Sequence, residues 1–170
     1  MAHGKVSLLA ASIMALVLLG SGARAQIPSA LAAPPEQTPV VTLQAEGAQI
    51  YECKTGGDGK LAWAFREPIA TLILDGHTVG RHYAGPNWEH MDGSIVTGKV
   101  VASAPGATPS DIAWLRLDAV KNRGSGIFAD VATVQRINTS GGALVGACER
   151  AGALQSAPYA ADYVFLRKAN

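Results

Sequence analysis

The amino-acid sequence predicts an all-β fold, a single-domain β-sandwich or barrel of about ten short strands with one disulfide. Three observations carry this expectation. Apolar and β-branched runs of strand length recur at spacings of roughly 8 to 14 residues, separated by Gly, Pro, Asn and Asp clusters. No segment has a convincing long helical pattern. The nearest, SDIAWLRLDAVK, has Ser110 in the N-cap position, but its short apolar core and flanking Pro/Gly loops favour a strand. Finally, the chain has two cysteines, Cys53 and Cys148, and no C-x-x-C spacing that would suit a metal.

The elements follow in order. Lys5 precedes the apolar run VSLLAASIMALVLLG, and small residues Ala23 and Ala25 flank Arg24. A basic start, an apolar centre and an A-x-A site make residues 1–25 a secretory signal peptide, with cleavage expected after Ala25. Residues 26–39, QIPSALAAPPEQTP, hold four prolines and no periodic pattern, so a flexible arm is expected there. Residues 40–170 then form the single β domain. VVTLQAEG and AQIYECK read as strands, and TGGDGK as a turn. LAWAFRE and ATLILDG follow, and Asp75-Gly76 is a hairpin signal. TVGRHYA leads into a polar stretch read as a loop, then come SIVTGKVVAS, the loop PGATPSD and the strand IAWLRLDAV. IFADVATVQRI and ALVGACE are separated by NTSGG. Last, YAADYVFLRK alternates, which places Tyr159, Ala161, Tyr163 and Phe165 on one face and Asp162 on the other. Of the three tryptophans, Trp63 and Trp114 lie in these strands and are expected in the core.

Removing 25 of the 170 residues leaves 145, enough for one domain with a real core. Lys5 and Arg24 go with the leader, so 12 basic residues remain against 13 acidic ones. This balance and the absence of a basic stripe argue against a nucleic-acid partner. No later apolar run approaches the roughly 20 residues of a helical membrane span. An exported chain meets an oxidising compartment, so Cys53 and Cys148 are expected to pair. Secretion or residence in the periplasm is the expected location.

Candidate chemistry concentrates in His82–Ser94, HYAGPNWEHMDGS. His82, Glu89 and Asp92 offer acid/base or metal-ligand groups, and Ser94 has a nucleophile's hydroxyl. However, Ser94 lacks a G-x-S-x-G elbow, and no H-x-H or H-E-x-x-H spacing supports a metal among His77, His82 and His90. Asp92-Gly93 is explained by a turn, and Arg136 could pair with Glu89 or Asp92 to tie loops down. Alternatively, His82, Tyr83, Trp88, Glu89, Asp92, Arg136 and Asn138 line a ligand pocket at the rim of the sheet. No cofactor is called for. Asn138-Thr139-Ser140 also matches a glycosylation acceptor.

The run HYAGPNWEHMDGSIVTGKV, then IAWLRLDA, VQRINTSGG, a Cys and APYAADYVFL, resembles secreted bacterial and fungal proteins grouped as domain of unknown function 3455. The resemblance spans about Ala48 to Leu166 and implies no established activity. Some members carry a malate dehydrogenase label. Here the only dinucleotide-like string, Gly124 to Ala129, precedes a strand pattern where a helix is needed, and 145 residues cannot hold both a cofactor and a substrate domain. The leading expectation is an exported β-domain that binds a small molecule or an envelope partner. The alternative is a small secreted metal-assisted or acid/base hydrolase using His82, Glu89 and Asp92.

Overall fold

A computed structural model describes Met1 and residues 26–169 of the chain; the expected signal peptide lies outside the described residues. Eight strands form one closed antiparallel barrel in simple sequence order: β1 Gln37–Thr55, β2 Leu61–Leu74, β3 His77–Tyr83, β4 Asn87–His90, β5 Ile95–Ala104, β6 Trp114–Arg123, β7 Val131–Gly141 and β8 Leu154–Lys168. β8 returns to pair with β1 along its length, so the sheet closes on itself. The all-β expectation holds, in its barrel form.

The strand count differs from about ten for local reasons. VVTLQAEG and AQIYECK run together as β1, because Gly47, an expected strand end, continues the strand. Any side chain at Gly47 would strike the Ile69 carbonyl of β2, so the glycine permits close pairing. LAWAFRE and ATLILDG likewise merge as β2 across Pro68. ALVGACE contributes only an isolated bridge, Ala62 to Ala147, whereas NWEH, read as loop, is β4.

Alternation gives the barrel its inside. On β8, Tyr159, Ala161, Tyr163 and Phe165 are all buried in the core, as their spacing requires. Asp162 points outward and accepts a hydrogen bond from Asn138 Nδ2 at 2.8 Å. Asp75 and Gly76 both have positive φ and make the tight β2–β3 turn.

The two ends of the barrel are unlike. At one end, the turns 75–76, 91–94 and 124–130 close over Leu43, Leu72, Val96, Phe128 and Phe165. Phe128 and Phe165 stack there with centroids 4.3 Å apart. Asn122 Nδ2 donates to the Phe128 and Val131 carbonyls, which fixes the β6–β7 loop. The loops 56–60, 84–86, 105–113 and 142–153 surround the other end. Cys53 and Cys148 form a disulfide that pins the last of these loops to β1.

The stretch 26–39 is docked rather than a free arm. A 3-10 turn, Ser29–Leu31, places Leu31 in a fully buried site on the outer wall against Trp114 and Ile137. Gln135 Nε2 and Arg116 Nη1 donate to the carbonyls of Leu31 and Ala32 at 2.6 and 3.0 Å, and β1 begins already at Gln37. Trp114 therefore belongs to this outer cluster and not to the barrel core, while Trp63 is only partly buried.

Candidate functional site

The open end leads into a cavity of about 540 Å³. Its deep wall is aromatic and polar, with Gln49, Tyr51, His82, Trp88, Arg136 and Tyr163. Apolar Phe65, Pro86, Val100, Leu115 and Leu117 complete the sides. Alternation places these groups inward. On β1 the alternating residues Leu43, Ala45, Gln49 and Tyr51 are buried on the inward face, so Gln49 is a polar residue in a core position. Tyr51 is held by its hydroxyl, which donates to the Gly142 carbonyl at 2.8 Å.

His82 and Trp88 are cross-strand partners on β3 and β4. Their rings stack at 4.6 Å with planes 7° apart, and Tyr163 meets the Trp88 ring edge-on at 5.3 Å. Gly98 on β5 makes room for this indole: a Cβ there would lie 3.1 Å from Trp88 Cζ3. His82 is 3 % exposed, and its Nδ1 sits 2.8 Å from the Asn87 carbonyl. A carbonyl can only accept, so Nδ1 carries the proton and Nε2 is left as an acceptor. Burial pulls the imidazole pKa down to about 4, reinforced by nearby Arg136 and partly opposed by the Asn87 carbonyl, so the ring is neutral near pH 7. Burial likewise raises the pKa of Tyr159 and Tyr163.

Of the seven residues the sequence marks, three converge here: His82, Trp88 and Arg136. Arg136 is not paired with Glu89 or Asp92. Its Nε and Nη2 both donate to the Ala113 carbonyl, at 3.0 and 2.8 Å, which holds the β5–β6 loop at the mouth.

The others lie elsewhere. Glu89 pairs with Arg81 across β3 and β4 on the outer wall, at 2.8 Å, and accepts from the Tyr83 hydroxyl at 3.0 Å. The Arg81 bonds hold the Glu89 carboxyl below its usual range. Asp92 works at the closed end: Oδ1 accepts from the Ser94 amide and hydroxyl, at 2.8 and 2.6 Å, and Oδ2 from the Ile127 amide at 2.8 Å. Ser94 Oγ in turn accepts from the Phe128 amide. Although desolvation opposes it, this set of donors, with His90 nearby, depresses the Asp92 pKa. Asn138 is on the outside, bonded to Asp162.

Thus His82, Glu89 and Asp92 occupy the interior, the outer wall and the closed end. They cannot act together on one substrate, because neighbouring strand positions face opposite ways and Asp92 closes the other end. Among the described residues no three His, Cys, Asp or Glu side chains gather to hold a metal. Gln49, Tyr51 and Tyr163 are cavity residues that were not marked from the sequence. The signal for Gln49 was present, as an amide on the inward face of an alternating strand.

Residues 34–78 and 73–167 match the family described as "Protein of unknown function (DUF3455)", and this chain belongs to it. No curated protein and no solved structure matches the chain.

Proposed function

We propose that this chain is an exported barrel that binds one small molecule in the cavity at its open end. The carrying observation is the cavity itself. Eight-stranded barrels either fill their interior with side chains or hold one small ligand. Here the closed half is packed with aromatic and aliphatic groups, while the open half keeps about 540 Å³ free. That volume, with apolar walls and a few inward polar groups, is typical of a small-molecule site. A concave interior suits such a ligand better than a protein partner. The leader pattern at residues 1–25 supports export, and the Cys53–Cys148 disulfide suits an oxidising compartment.

The test uses Ala84→Trp. Ala84 is exposed on the β3–β4 turn and lines the mouth, so an indole there obstructs entry without disturbing the core. Native mass spectrometry of the disulfide-bonded protein with a panel of acidic and neutral aromatic and aliphatic compounds should show adducts of one ligand per chain. The Ala84→Trp variant should lose them and keep its melting temperature. Binding that ignores this substitution, or no binding across the panel, would refute the reading.

A further inference from the structure

Building on the cavity as a small-molecule site, we propose that its ligand is an organic monoanion: a compact apolar body whose carboxylate sits against Arg136. The argument begins with charge. Arg136 is half-buried on the cavity wall, and among the described residues its neighbours are neutral: it donates to the Ala113 carbonyl and lies beside the Tyr163 hydroxyl. Among the described residues no carboxylate lies within ion-pair distance of it. The acidic residue of the cavity wall, Asp111, is already committed. It accepts from the Gly141 amide at 2.7 Å and from the Thr108 amide and hydroxyl at 2.9 and 2.8 Å. The second cavity arginine, Arg66, is balanced by Glu67 at 3.1 Å. Arg136 is therefore the cation the site leaves without a counter-charge, and partial burial raises the cost of that state.

Hydrogen-bond supply points the same way. Two further cavity residues hold buried donors with no protein partner, Gln49 Nε2 and Trp88 Nε1. Gln49 and Trp88 are 2 % and 1 % exposed, so bulk water does not satisfy these groups. A carboxylate is acceptor-only and takes several donors at once, and the Arg–carboxylate pair is among the strongest such contacts. The remaining lining, Phe65, Val100, Leu115 and Leu117, offers an apolar body contact along the sides.

The probe is a matched pair, 2-naphthoate and 2-naphthamide, which share shape and ring but differ in charge. Titration calorimetry on the disulfide-bonded chain at neutral pH should give one site for naphthoate, bound at least about tenfold more tightly than the amide. Arg136→Gln should bring the two within about twofold, and Arg81→Gln, on the outer wall, should leave the preference intact. Equal binding of the pair by the unaltered protein overturns the anion inference while leaving the small-molecule reading in place. A preference that survives Arg136→Gln overturns it too, because the anion is then held elsewhere. Binding of neither compound counts against this inference; the panel with Ala84→Trp then decides separately whether the cavity binds anything. If Arg136→Gln does not fold, the ratio in the unaltered protein and its weakening by added salt decide the matter, since a neutral ligand shows no such weakening.

Discussion

Acidification should destabilise this barrel first through His82, before its carboxylates matter. The imidazole is buried against Trp88 and Tyr163, and the charged group facing it is Arg136. Its pKa falls from 6.5 to about 4 on folding. The unfolded chain therefore takes up a proton at this position near pH 6.5, and the folded chain resists until about pH 4. The contribution to stability is whole above 6.5 and is lost as the pH falls through that interval. At about 1.4 kcal/mol per pH unit, the full loss is about 3 kcal/mol. Asp92 acts lower, since its depressed pKa costs stability only as the pH falls below its ordinary 3.8. The assay is urea denaturation at a series of pH values from neutral to about pH 4.5, on the unaltered protein and on His82→Asn, whose amide can still donate to the Asn87 carbonyl. His82→Asn starts less stable because it loses the stacked ring. The decisive quantity is the difference in slope: the unaltered protein should lose about 2 to 3 kcal/mol more than the variant over this range. Parallel slopes would refute the assignment of a neutral, buried His82.

Two further outcomes follow from the unlike ends. Asp92→Ala removes the acceptor for the Ser94 hydroxyl and amide and the Ile127 amide, so chemical denaturation should show a loss of about 1 to 3 kcal/mol. The same variant should bind ligand normally, because the closed end takes no part in the cavity; a binding defect at unchanged stability would contradict that division. Replacing Cys53 and Cys148 together by serine opens a covalent loop with a sequence separation of 95, for which chain entropy gives about 4 to 5 kcal/mol. Ligand affinity should fall as well, since the freed 142–153 loop carries Ala143 of the cavity wall. A stability change below about 1 kcal/mol would refute the pinning role.

The parts of the fold legible in the sequence were those governed by local rules. The period of two in YAADYVFL gave the inward face of β8, and Asp75-Gly76 gave its hairpin. The expected and observed strand ends differ where a glycine or proline suggests a stop. Gly47 is instead paired on both sides, with Ala70 of β2 and Tyr159 of β8, and Pro68 pairs with Gln49 of β1 on a stretch of β2 that β3 does not reach. The docking of Leu31 on Trp114 was hidden, since a Pro-rich segment shows no periodicity even when one residue anchors it. At the site, the sequence exposed residue types and not directions. His82 and Glu89 look like neighbours, but an odd separation along a hairpin sends one into the barrel and the other to solvent. Gln49, Tyr163 and Arg136 come together only through barrel closure, which no local pattern encodes.

The most direct test of the interior site is the indole region of a ¹H–¹⁵N spectrum, which holds one signal each for Trp63, Trp88 and Trp114. Single Trp→Phe variants assign them. On titration with 2-naphthoate the Trp88 signal should move and saturate at one ligand per chain, while Trp114 on the outer wall stays in place. Saturable binding that leaves the Trp88 signal in place, with Trp63 or Trp114 shifting in its stead, would contradict a ligand site inside the barrel.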